Sequence, residues 1–218
     1  MHSGETIKSI TNWRQEAEIC LLDGNYIKAA SLYERAIDAN PDIKYYYWQL
    51  GLVLLLQGQE EEAQTTWWLG MVDGDAEQVD LWTDELARVL ATEANKRAAA
   101  EDYSVAWAIR QHIREIVPTD VNNLLHLVDL SIALKNYTPE QFTEYGLIEQ
   151  LKNNTTIELD ENLLLHLLNK LLNYDPTHSS SIEFASAAVN QITDRTALVR
   201  ALIPPIYQIA YSFAELPT

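Results

Sequence analysis

Two stretches of this sequence, at an offset of 34 positions, carry the same spacing of small and aromatic residues. Nothing else in the chain restricts its fold as much. Trp13, Ala17, Gly24, Tyr26, Ala29, Tyr33, Ala36 and Pro41 are answered by Tyr47, Gly51, Gly58, Glu60, Ala63, Trp67, Gly70 and Asp75. Aromatic stands for aromatic, small for small and Gly for Gly, with Glu60 and Asp75 as the departures. A period of this length is the mark of stacked helical hairpins, each burying its apolar face against the next.

The reason is steric. Antiparallel helices cross closely only where small residues meet, so Ala17 and Gly51 notch each first helix, and Ala29 and Ala63 each second helix. Trp13, Tyr33, Tyr47 and Trp67 then fill the wedges between hairpins. A larger residue at Ala29 or Ala63 would overpack that crossing, at a cost of roughly 1–3 kcal/mol. Gly24 and Gly58 end the first helices where a left-handed backbone is needed, and Pro41 separates the two hairpins.

Ala, Leu, Glu and Gln are plentiful, Gly and Pro are scarce at seven each, and no stretch alternates long enough for a sheet. The expected class is all-α. The 32 acidic against 15 basic side chains leave a net charge of −17. Such a surface repels phosphate backbones and anionic bilayers, so neither nucleic acid nor a membrane is an expected partner. The lone cysteine, Cys20, faces inward on the first helix and reads as a small core residue. The absence of any disulfide pair fits a reducing compartment. The first five residues show no signal-peptide pattern, and Leu52 to Leu56 is too short an apolar run to span a bilayer. The expected location is cytoplasmic.

Read in order, residues 1–10 are expected to be polar and frayed, followed by helices near 11–23, 26–39, 43–57 and 60–73. Asp73-Gly74-Asp75 is read as a turn, because the later ligands of a calcium loop are missing. Glu77 to Ala100 forms one long helix, and its partner starts at Asp102 and Tyr103 and stops at Pro118. Beyond Pro118 a different echo appears: Asp120-Val-Asn122-Asn-Leu-Leu-His126-Leu127 matches Asp160-Glu-Asn162-Leu-Leu-Leu-His166-Leu167 at an offset of 40. Asp120 and Asp160 are expected N-caps. Partner helices are expected near 139–151, with Pro139 in its first turn, and near 179–192. A last helix near 194–202 would be broken by Pro204-Pro205. No polar capping helix comes after it, so the second half either closes on itself or is continued by further chain. The whole reads as a single helical-repeat domain over 1–218: two repeats over 11–75, a degenerate one over 76–118 and divergent hairpins over 119–218.

Chemistry is sparse. There is no phosphate-cradling Gly-rich loop, and no His pair has zinc-ligand spacing. His126 and His166 occupy equivalent places, where packing or hydrogen bonding is the commoner use and a shared polar or metal role the rarer one. Glu60-Glu61-Glu62 suits the first turn of a helix. The expectation is therefore no catalytic residue, no metal and no cofactor. The architecture offers a concave face lined by first helices instead. Its expected partner-binding residues are Arg14, Gln15, Glu18, Tyr45, Trp48, Gln49 and Leu52. Trp48 points about 100° from Tyr47 on an ideal helix and is expected to be at least partly exposed. The alternative is that the Glu77–Ala100 helix or a third hairpin covers it.

The spacing over positions 1–75 resembles that of tetratricopeptide repeat proteins, whose grooves bind peptides or partner proteins. The resemblance implies a right-handed α-solenoid of about five hairpins, with C-terminal helices, and a protein or peptide ligand in the groove. The Lys, Asn and Arg clamp that such proteins use for acidic chaperone tails is absent, with Thr11, Gln15, Glu18, Tyr45, Gln49 and Leu52 in those places. Gly24-Asn-Tyr-Ile-Lys-Ala-Ala-Ser-Leu-Tyr-Glu-Arg-Ala-Ile-Asp, the run from Tyr47 to Gln59, the run from Val105 to Ile116, and Asn122-Asn-Leu-Leu-His-Leu are similar to the N-terminal region of cyanobacterial SPINDLY-type glycosyltransferases. In those proteins helical repeats precede a nucleotide-sugar-binding domain, which this chain does not contain. Gln15 and Gln49 also stand where the inner-face asparagines of animal sugar transferases would be. The resemblance thus implies a non-catalytic recruiting module for an appended or associated glycosyltransferase. Homo-oligomerisation and a free-standing adaptor are the alternatives.

Overall fold

The computed structural model describes residues 3–153, 159–174 and 178–203, with side chains from Trp13 onward except that of Thr143. Every regular element among them is helical: α1 (Ser3–Leu22), α2 (Tyr26–Ala39), α3 (Lys44–Leu56), α4 (Glu60–Met71), α5 (Ala76–Ala99), α6 (Tyr103–Ile116), α7 (Val121–Ala133), α8 (Gln141–Glu144), α9 (Leu147–Asn153), α10 (Glu161–Tyr174) and α11 (Ser179–Gln191). A further helical segment covers 195–203. Helix α1 starts two turns earlier than the sequence suggests, at Ser3 rather than near 11. The chain divides into two units, Met1–Glu93 and Ala94–Thr218, with the division inside α5.

In the first unit each helix packs on the next, α1 on α2, α2 on α3 and α3 on α4. The small residues lie where the steric argument puts them, with Ala17, Ala29 and Ala63 fully buried. A Cβ on Gly51 would lie 2.1 Å from Trp67 Nε1, and one on Gly70 would lie 2.7 Å from the Trp48 ring and 2.9 Å from Tyr47 Cβ. Gly51 and Gly70 thus each receive a tryptophan of the opposite helix. The Trp67 indole also donates to the Trp48 carbonyl at 3.3 Å, so the ring is fixed in orientation as well as in depth. In the first hairpin Tyr33 takes the place of Trp67, fully buried with Ala17, Cys20 and Leu21 around it. Its hydroxyl has no hydrogen-bond partner among the described residues, and burial pushes the phenol pKa up.

Four helices end on the same backbone corner. Gly24 and Gly58 have φ of 71° and 79°, and the amides after them, Asn25 and Gln59, bond back to the carbonyls of Cys20 and Leu54. That is the left-handed cap that glycine makes at no steric cost. Glu101 and Lys135, at φ 61° and 59°, make the same corner without glycine, with Asp102 bonded to the Arg97 carbonyl and Asn136 to that of Ser131. Positions 101 and 135 again stand at the offset that separates Gly24 from Gly58. The period therefore persists in the backbone of the second unit after the side chains have stopped repeating it.

In that unit α6 packs on α7, α7 meets both α9 and α10, and α11 meets α8, α9 and α10. First helix thus lies on first helix (α7 on α10) and second on second (α9 on α11), as the echo between Asp120–Leu127 and Asp160–Leu167 implies. Asp120 caps α7 by accepting from the Asn123 amide, and Asp160 caps α10 by accepting from those of Asn162 and Leu163. The two echoing segments are tied at these ends, since Asn122 Oδ1 accepts from the Asp160 amide at 2.9 Å. Between the layers Phe142 stacks on Phe184 at 4.7 Å. The single helix expected over 139–151 is instead two short ones. Gly146, at φ 63°, separates α8 from α9, and Pro139 lies in the turn before α8. Asp175-Pro176 and Pro204-Pro205 lie outside the described residues.

Gly51→Ala should cost roughly 1–3 kcal/mol, because the Trp67 ring cannot withdraw without giving up its bond to α3. A fall in the urea midpoint at unchanged slope would show it. Glu101→Gly should instead gain about 0.5–1 kcal/mol by relieving a left-handed non-glycine residue, read as a higher midpoint by the same method.

Candidate functional site

The surface built by the first helices of the opening hairpins begins at α1. Arg14, Gln15 and Glu18 are all exposed there, one helical turn presenting Arg14 and Glu18 side by side with their charged atoms 3.6 Å apart. From α3, half-buried Tyr45 comes up beneath Arg14, whose guanidinium lies 4.7 Å above the phenol ring. The Tyr45 hydroxyl, then Glu18 and Tyr46 by charge, hold the Arg14 pKa above its ordinary value. Beneath this group Trp13 meets Tyr33 and Tyr46 edge-on at 6.2 and 5.3 Å. Arg14, Glu18 and Tyr45 are therefore a preordered cluster on an aromatic base, with exposed Gln15 beside it.

The other three expected residues are elsewhere. Trp48 is fully buried, Leu52 is 2% exposed and Gln49 9%. This corrects the expectation of a surface tryptophan. Residues Trp48 to Val53 are buried without a break, because α3 lies between α2 and α4 while α5 approaches a third side. The Trp48 indole is 3.5 Å from Glu85 Oε2 on α5. A helix enclosed on several sides has no outward stripe, so helical angle alone could not assign one. A substitution at Trp48 reports on folding and not on recognition.

Sequence reasoning also missed a group at the start of α3. Lys44 places its ammonium 4.8 Å from the Trp82 ring and 5.8 Å from that of Tyr47, and the Trp82 ring fills the space over Gly74. Trp82 is two helices further along the chain than Lys44, and no spacing rule connects them. The turn at Asp73-Gly74-Asp75 leads into α5, where the Asp75 and Gln78 amides each donate to the other's side chain, at 3.1 and 2.9 Å.

The two equivalent histidines have different surroundings. His166 lies 3.2 Å from Asp129, which also accepts from Lys170 at 2.5 Å, so α10 is fastened to α7 by one carboxylate. His126, half-buried on α7, feels the charges of Arg110, Asp129 and Asp160. Arg110 is itself only 4% exposed and is held by neutral amides, Asn95 Oδ1 at 2.6 Å and Asn123 Oδ1 at 3.2 Å. Burial brings its pKa down to about 10, against an opposing pull from Asp120. Among the described residues no group of three or more His, Cys, Asp or Glu side chains is placed to hold a metal ion, and Cys20 is a buried free thiol. Among the same residues no helix is long and apolar enough to cross a membrane.

Comparison with protein-family models found no match, and comparison with curated proteins found none either. The helical-repeat character of the chain accordingly rests on its own spacing and packing.

Burial, and secondarily the Arg110 charge, bring the His126 pKa down from 6.5 to about 4. Between those values the unfolded chain takes up a proton that the folded one refuses. The contribution of His126 is thus fully present above pH 6.5 and is lost as pH falls towards 4. His126→Asn should flatten the pH dependence of the urea midpoint across that window relative to the unchanged protein.

Proposed function

We propose that this chain is a non-catalytic protein-interaction module of the tetratricopeptide-repeat type, and that Arg14, Gln15, Glu18 and Tyr45 contact its partner. The observation that carries the reading is the Arg14–Tyr45–Glu18 cluster. Its charged and aromatic groups are held together by packed helices, with Arg14 and Glu18 exposed and Tyr45 half-buried. An arginine set over a tyrosine loses little rotamer freedom on binding, and both residue types dominate interface energetics. The helical hairpins and the resemblance of residues 24–38, 47–59, 105–116 and 122–127 to repeats ahead of sugar transferases support the further reading. In it the module recruits a protein substrate for an appended or associated glycosyltransferase.

Self-association is the second reading, favoured by the exposed apolar side chains Leu22 and Ile27 at the α1–α2 turn, 73% and 79% exposed. Sedimentation separates the two, since a monomer at micromolar concentration rules out homo-oligomerisation. For partner binding, Arg14→Ala with Tyr45→Ala should leave the urea midpoint within about 1 kcal/mol of the parent. It should also release proteins that the unchanged chain retains from an extract of the source cells. An identical set of retained proteins would overturn the assignment of this surface. An antibody blot of the same extract then tells a free adaptor, near 24.8 kDa, from the recruiting arm of a larger enzyme.

A further inference from the structure

Helix α4 has a second side that no described residue of its unit covers. Trp68 is 62% exposed, Leu69 47% and Val72, at the end of the helix, 51%. Trp68 and Val72 are one turn apart and Leu69 lies between them, so the three make one apolar stripe. Towards the start of the helix the same stripe continues through Thr65 to Glu61. There an open depression of about 370 Å³ is lined by Glu61, Glu62, Thr65 and Thr66. Both threonine hydroxyls donate back into the helix, to the Glu61 and Glu62 carbonyls at 2.8 and 2.7 Å. The depression therefore presents carboxylates to a visitor and no spare donor.

The segment that carries this stripe has charge of one sign. Residues 60–87, which make α4 and the first half of α5, contain nine carboxylates (Glu60, Glu61, Glu62, Asp73, Asp75, Glu77, Asp80, Asp84 and Glu85) and no Lys, Arg or His. All nine are exposed. An indole set in such a field fits a ligand with both an apolar stripe and positive charge. A second copy of the chain would bring acid against acid, and nucleic acid or an anionic bilayer would be repelled outright.

We propose that the outward face of α4 docks a cationic amphipathic segment of a partner protein. The apolar side chains of that segment would pack on Trp68, Leu69 and Val72, and its Lys or Arg heads would lie among Glu61, Glu62 and the α4–α5 carboxylates. This surface is separate from Arg14 and Tyr45 and does not depend on their assignment.

The test uses the full chain and a fluorescein-labelled amphipathic helix of Leu and Lys, followed by anisotropy. A Leu/Glu helix of the same pattern and a scrambled Leu/Lys peptide serve as controls. The Leu/Lys helix should bind, more weakly as salt rises, and neither control should match it. Trp68→Ala should weaken binding about tenfold or more with an unchanged urea midpoint, as the side chain is mostly in water. Glu61→Gln with Glu62→Gln should slow association, while Arg14→Ala with Tyr45→Ala should change nothing. Equal binding of the scrambled peptide, or no effect of Trp68→Ala, would reduce the attraction to general charge and overturn the proposal. Sedimentation showing a dimer that Trp68→Ala dissolves would overturn it in favour of a second copy as the occupant.

Discussion

The reciprocal seating of Trp67 over Gly51 and of Trp48 against Gly70 is the constraint on which the first unit rests. Either ring could be buried in many ways, but only the absence of a Cβ on the facing helix lets both be buried at once. With two indoles between them, α3 and α4 are fixed in separation and register, and the Trp67 bond to a main-chain carbonyl removes the remaining freedom to slide. Everything else in the unit is placed relative to this pair. Helix α2 meets the free side of α3, α1 lies against α2, and α5 brings Glu85 to the one polar side-chain atom of Trp48. Arg14 and Tyr45 come together because α1 and α3 are both held against α2.

How much of this is legible in the sequence depends on whether the determining contact is local. Gly24, Gly58, Asp120 and Asp160 act on residues within about one turn of themselves, and each does what its residue type suggests. The small–aromatic matching between the first two hairpins is also readable, because the pattern repeats and the steric need behind it is simple. Arg14, Gln15, Glu18 and Tyr45 reach the surface as helical angles require. Trp48, Gln49 and Leu52 do not, because α3 is enclosed by several neighbours, and α5, which reaches the Trp48 indole, does not begin until Ala76. The split at Gly146 is signalled only by a glycine within an apolar run. The Lys44 group carries no signal at all, as Trp82 reaches it from a distant helix.

The two units solve the helix-stacking problem with different chemistry. The first relies on shape, with glycine and alanine notches taking large rings. The second uses leucine-rich faces and fastens them at their edges with polar groups. Asn122 reaches the start of α10, Asp129 gathers His166 and Lys170, and Arg110 joins Asn95 to Asn123. Shape-based packing tolerates little change in volume. Edge-fastened packing tolerates volume better but is sensitive to the loss of a single buried partner, since Arg110 would then keep its charge with fewer groups to accept its protons.

The left-handed corners at 24, 58, 101 and 135 separate two kinds of memory in a repeating chain. At the first pair glycine supplies the corner itself, having no Cβ to oppose it. At the second pair a glutamate and a lysine occupy a conformation they do not favour, and the longer interval between 58 and 101 absorbs the extra length of α5 while leaving the next interval unchanged. The corner there is imposed by its surroundings. A unit of construction can thus outlive the residues that first made it easy, and it is counted more reliably by the turns of its main chain than by the letters of its sequence.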